Sequence, residues 1–188
     1  MTKIKDPNRI LANRCPHLVE EWHPTKNGEL TPYNLTFGSN KKAWWICSQC
    51  TYEWKVAINH RSNGSGCPAC AGKVATSWNS FKATNSHLIK EWYPTKNEIL
   101  PEEVTNGSNK KVWWLCSKCN YEWETRICSR SNGSRCPACV GTVATPDNNL
   151  TTTHPHLAKE WHTDKNKMKP TEVTFGSNRK SWWKCLEC

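Results

Sequence analysis

Cysteine pairs separated by two residues recur along this chain at a fixed interval. Cys47/Cys50 are followed after sixteen intervening residues by Cys67/Cys70, and Cys116/Cys119 after the same sixteen by Cys136/Cys139. Cys185/Cys188 repeat the first pair once more, so the period from Cys47 to Cys116 to Cys185 is 69 residues. Two such pairs roughly 15–20 residues apart have the spacing of a four-thiolate zinc site. The expectation is Zn2+ in two complete sites, Cys47, Cys50, Cys67, Cys70 and Cys116, Cys119, Cys136, Cys139, with Cys185 and Cys188 as a half-site.

A unit of 69 residues is marginal for a hydrophobic core acting alone. Leu, Ile, Val and Phe make up only 28 of the 188 residues, below the roughly 20% under which chains often stay disordered. Twelve tryptophans and ten paired cysteines point the other way. Each Trp buries roughly 200 Å², and structural zinc couples binding to folding. A fold collapsing around Trp and metal is therefore expected. Disulfides are the competing use of the cysteines. The chain begins Met-Thr-Lys-Ile-Lys-Asp with no apolar leader, and no run of 18 apolar residues marks a membrane span. Registered C-x2-C pairs then favour metal in a reducing, intracellular compartment. Cys15 and Cys128 fall outside the pattern and are expected to be spare thiols.

The rest of the unit recurs as well. His17-Leu18 to Glu21-Trp22, His87-Leu88 to Glu91-Trp92 and His156-Leu157 to Glu160-Trp161 place Leu and Trp four apart. That spacing predicts a helix of about two turns with both on one face, and Asn85 is a plausible N-cap. A Lys-Asn turn and a proline lead to a Gly-Ser-Asn loop ending in paired basic residues: Lys41/Lys42, Lys110/Lys111 and Arg179/Lys180. The double tryptophans Trp44-Trp45, Trp113-Trp114 and Trp182-Trp183 follow on a predicted strand. Alternate strand residues face opposite ways, so Trp45 should pack toward the Cys47 side and Trp44 elsewhere. Tyr52 to Ile58 and Tyr121 to Ile127 alternate as second strands. Arg61 and Arg130 open loops into Cys-Pro-Ala-Cys, and Gly72 and Gly141 follow closely. The expected fold class is small, metal-stabilised α+β: tandem zinc-ribbon repeats, each a short helix plus a β-hairpin around four cysteines. The repeats are assigned to residues 1–75, 76–144 and, incomplete, 145–188. A treble clef, with the second pair in a helix's first turn, is the alternative that the early glycines disfavour.

The chain resembles a family of zinc-ribbon repeats of unknown function from bacteria and large DNA viruses, sometimes found beside nuclease-like domains. The likeness rests on Leu-x-x-Glu-Trp, Lys-Asn, the Gly-Ser loop, Trp-Trp-x-Cys, Glu-Trp, and Arg-x-Asn-Gly before Cys-Pro-x-Cys. Tyr52 and Tyr121 stand where family copies often carry His. The resemblance implies a fold and a metal, not an activity.

Four cysteines leave zinc no open position, so the metal is expected to be structural and the chain not an enzyme. His17, His87 and His156 recur without an acidic cluster and read as exposed first-turn residues. His60 lacks a counterpart in the second repeat, where Ser129 stands. Each four-thiolate zinc centre carries a net −2, lowering the formal +10 to about +6, still suited to an anionic partner. Nucleic acid, DNA slightly before RNA, is the expected partner. The candidate contacts are Lys41, Lys42, Trp44, Arg61, Lys110, Lys111, Trp113, Arg130, Arg179 and Lys180. The alternative is a protein-interaction or targeting scaffold serving a nuclease-like enzyme.

Overall fold

The computed structural model describes residue 4 and residues 6–187. They divide into two compact units, the first ending at Asn79 and the second beginning at Ser80. In the first, α1 (Leu11–Arg14) precedes an antiparallel hairpin of β1 (Lys42–Ile46) and β2 (Glu53–Ala57). It is followed by α2 (Ile58–Ser62). The second unit repeats this order with α3 (Phe81–Thr84), β3 (Lys111–Leu115), β4 (Glu122–Arg126) and α4 (Ile127–Ser131). It then adds α5 (Leu150–Thr153) and α6 (Pro155–Lys159) of the third repeat. The architecture is small α+β. Among the described residues no helix is long and apolar enough to cross a membrane.

Strand parity sorts the double tryptophans. Trp45 pairs in register with Trp54, and Trp114 with Trp123. Trp45 and Trp114 are fully buried, whereas Trp44 is only half-buried. Trp22 meets Trp45 edge to face at 5.2 Å, and Trp92 meets Trp114 at 5.4 Å, the arrangement that an indole's positive edge and negative face favour. Leu11, Leu18 and Ile58 complete the first core, and Phe81, Val112 and Ile127 the second.

The helix expected over the Leu-x-x-Glu-Trp segment is shorter than its spacing suggested. Pro16–Leu18 forms a single 3-10 turn, Ser86–Glu91 a 3-10 helix, and only the third repeat makes an α-helical turn there. The main chain that follows is bonded to the hairpin strand. Ile46 N–H donates to Glu21 O at 2.8 Å and His23 N–H to Trp44 O at 3.1 Å. Asn85 occupies the N-cap position without capping; its amide donates to Thr84 Oγ1. The caps lie one element earlier, where Ser80 accepts from Ala83 N–H and Asn149 from Thr152 N–H.

The recurring Lys-Asn turn also has a structural task that spacing did not reveal. Asn27 Oδ1 accepts from Trp44 N–H at 2.7 Å while its Nδ2 donates to Trp44 O at 2.9 Å. Asn97 grips Trp113, and Asn166 grips Trp182, in the same way. A side-chain amide thus replaces a third strand along the outer edge. Asn79 and Asn148 fix the ends of their repeats, donating to Ala69 O and Val74 O and to Ala138 O and Val143 O. Residues 76–79 therefore go with the repeat before them, a few residues beyond the boundary expected at 75/76, and repeats two and three share one unit.

Arg61 and Arg130 correct the sequence expectation most sharply. They sit in α2 and α4, 6% exposed, rather than in loops offered to phosphate. The Arg61 guanidinium pairs with Glu21 and donates to Ser65 O. It also lies over Trp45 and Trp54 at 5.2 and 5.3 Å. Arg130 does the same with Glu91, Ser134 O, Trp114 and Trp123. Truncating one member of a buried pair strands the other charge. Arg61→Ala is expected to cost ~3 kcal/mol of unfolding free energy in the zinc-loaded protein, measured by urea denaturation. Lys41→Ala, on the exposed loop, should change it by less than ~0.5 kcal/mol.

Candidate metal centre

Each centre is assembled from two chain reversals. Strand β1 runs directly into Cys47, whose N–H donates to Tyr52 O at 2.9 Å and so closes the hairpin around the first knuckle. Thr51 N–H returns to Cys47 O, with Thr51 at φ 58°. Asn120 takes the same left-handed position in the second repeat at φ 55°, a conformation costly to a β-branched residue and more readily accepted by Asn. The second knuckle arrives from α2 through the Arg61–Ser65 contact, and its turn ends at Gly72, φ 67°. Gly141 ends the equivalent turn at φ 74°.

These reversals bring Cys47, Cys50, Cys67 and Cys70 together, and likewise Cys116, Cys119, Cys136 and Cys139, with all sulfurs of a group within 4.8 Å of one another. Zn–S bonds of roughly 2.3 Å directed tetrahedrally separate the sulfurs by about 3.8 Å. Cys47–Cys70 and Cys50–Cys67 are 3.7 Å apart. Cys116–Cys139 are 3.6 Å and Cys119–Cys136 3.7 Å apart. Disulfide sulfurs would lie at roughly 2.05 Å. The donor set fits zinc, and the eight expected ligands are the ones that converge. Zinc bound here would tie each hairpin to its following loop and supply structural cohesion, having no position left for a substrate.

Burial is lopsided. Cys47, Cys67, Cys116 and Cys136 are buried, while Cys70, Cys119 and Cys139 reach solvent. Burial pushes the Cys67 and Cys136 thiols up. The neighbouring sulfur of Cys50 pushes Cys70 up to about 12, and that of Cys119 does the same for Cys139. For Cys116, burial acts upward but is outweighed by the Lys118 and Cys119 backbone N–H groups, which bring it down to about 7.

The remaining sequence candidates separate clearly. Lys41, Lys42, Lys110, Lys111, Arg179 and Lys180 are all exposed. Trp44 is half-buried and Trp113 is 36% exposed. Arg61 and Arg130 are withdrawn into the core, as described above. Cys185 is exposed and Cys188 lies outside the described residues, so the third half-site gains no geometric support. Cys15 is buried outside both clusters, and Cys128 donates to Asn109 Oδ1. His17, His87 and His156 are exposed.

A family model described as a probable treble clef zinc finger domain matches residues 18–73, 88–142 and 157–188. No curated protein matches the chain. The description names the arrangement placed second on sequence grounds; here the second cysteine pair occupies a turn ended by Gly72 or Gly141.

Zinc needs thiolates, so protons compete with it and affinity falls as pH falls. Cys136 is raised above the ordinary 9.0 and Cys139 reaches about 12, so both are protonated at neutral pH without metal. Loading the second centre is therefore expected to release at least these two protons, measurable calorimetrically in buffers of different ionisation enthalpy. Its apparent affinity should then fall by at least about a hundredfold per pH unit below neutrality.

Proposed function

The chain belongs to this zinc-finger family, and from that premise we propose that its metal-built repeats bind nucleic acid, DNA in preference, through the paired cations before each double tryptophan. The observation that carries this reading is a division among the lysines. Lys26 is held by Glu53 and Lys96 by Glu122, and both lie over indole rings. Lys41, Lys42, Lys110 and Lys111 are exposed and enter no ion pair among the described residues. Unpaired exposed ammonium groups retain their full attraction for phosphate.

Their backbone frame is fixed. Ile58 N–H donates to Lys41 O and Asn59 N–H to Ser39 O; Ile127 and Cys128 repeat these bonds with Lys110 and Ser108. Each lysine pair is thereby anchored to the helix that leads into the second knuckle. Anchoring reduces the ordering cost of binding. Weak contacts repeated within one chain reinforce one another through effective concentration.

Four lysines engaging four phosphates imply a slope of roughly −3.6 in log K against log salt on duplex DNA. The combined variant K41E/K42E/K110E/K111E is expected to abolish binding in anisotropy titrations while keeping its zinc. Salt-independent binding, or affinity that survives the charge reversal, would instead favour a protein-interaction scaffold.

A further inference from the structure

Strand pairing in the second repeat sets two cations directly against each other. Lys111 and Arg126 are partners in the β3–β4 register. The Ile127 N–H donates to Lys110 O at 3.1 Å, just outside this pair. A bond at that place makes Lys111 and Arg126 a non-hydrogen-bonded pair, the kind whose Cα atoms approach to about 4.5 Å and whose side chains stand closest. Both are exposed, and neither enters an ion pair among the described residues. Like charges directly opposite one another weaken a sheet.

The fold does not require this arrangement. In the first repeat Lys42 is paired with Ala57, whose backbone (φ −64°, ψ 144°) matches that of Arg126 (φ −67°, ψ 144°). Nor is Arg126 laid over the buried indoles as Arg130 is. Both strands of this hairpin are present, and Lys42 is exposed at the matching place in the first repeat, so the exposure of the pair is that of a complete hairpin. Two acids share the strand face. Glu122 is engaged by Lys96 and accepts from Tyr93 Oη at 2.9 Å. Glu124, opposite Trp113, is exposed and in no ion pair among the described residues. The two cations at the hairpin base therefore outnumber the one unengaged carboxylate beside them.

A phosphate placed between the two cations would relieve their repulsion. It would also accept two parallel N–H bonds from the guanidinium, which a lysine alone does not offer. Resting on the nucleic-acid reading above, the geometry points to Lys111 and Arg126 as a cross-strand clamp on one backbone phosphate of duplex DNA. Arg126 is then a contact residue that the first repeat lacks, and the second repeat is the stronger of the two binding units.

The test uses the full zinc-loaded chain and a labelled duplex, followed by anisotropy at low salt. Arg126→Gln is expected to weaken binding about tenfold, the loss of one charge-assisted contact. Its urea midpoint should stay unchanged or rise, because the like-charge pair is gone. Arg126→Lys, which keeps the charge and loses the fork, should fall between the two. Lys90→Gln removes one exposed positive charge elsewhere in the same repeat and should cost less than about twofold. An unchanged affinity in Arg126→Gln, a loss no larger than that of Lys90→Gln, or a loss accompanied by a lowered urea midpoint overturns the clamp. If K41E/K42E/K110E/K111E still abolishes binding in any of those cases, the broader reading survives. If the unaltered protein does not bind the duplex at low salt, both readings fail.

Discussion

The first two repeats are each organised by the demand that four sulfurs meet at one point. The first knuckle ends one hairpin strand and starts the next, while the second arrives only after a short helix and loop. Closing them on a metal would join the hairpin to a second knuckle whose buried share of the core is Cys67 and Ala69, or Cys136 and Ala138. Structural zinc in small fingers contributes an apparent 10–16 kcal/mol, roughly, at neutral pH, well above what a single buried ion pair contributes in this fold. The small core is compatible with that arrangement. Two indoles per hairpin are buried, Trp45 with Trp54 and Trp114 with Trp123, and an arginine laid over both ties the strand pair to the Glu21 or Glu91 segment.

This design separates charge by task. The cysteine clusters, whose Cys70, Cys119 and Cys139 reach solvent, and the buried Arg–Glu pairs hold the chain together. Lys26 and Lys96 are neutralised on the hairpin face, where Glu53 and Glu122 keep them over their tryptophans. Among the described residues, the lysine pairs at the hairpin base are neither buried nor in an ion pair. They are positioned by the backbone of the neighbouring helix but do not hold the fold together, which leaves them free for an anionic partner. The proposed function rests on this division more than on net charge, since the zinc centres themselves are anionic.

Features governed by period or parity were legible in the sequence. Cysteine spacing picked out the eight cysteines that converge in two clusters, though not a third site for Cys185 and Cys188, and strand alternation assigned Trp45 and Trp114 to the core. Reciprocal long-range bonding was not legible. Arg61 lies in a Ser-Asn-Gly context that reads as a loop, and nothing local signals that Glu21, forty residues earlier, neutralises it. Asn27 and Asn97 recur visibly, but a side-chain amide standing in for a strand leaves no periodic trace. The Leu-x-x-Glu-Trp segment has helical spacing, yet it forms 3-10 turns in the first two repeats and an α-helical turn only in the third, a difference that spacing alone does not carry. The sequence preference for a ribbon over a treble clef rested on a few residues after the second knuckle, where Gly72 and Gly141 take positive φ, while the matching family model is described as a treble clef.

The central claim is that metal and fold are one equilibrium. It is tested most directly by titrating zinc into the reduced, metal-free chain while following the near-ultraviolet circular dichroism of its buried tryptophans. The account predicts little tertiary signal without metal, then a rise that saturates at two zinc ions per chain. A full tertiary signal before any zinc is added, or metal uptake that leaves the signal unchanged, would contradict it.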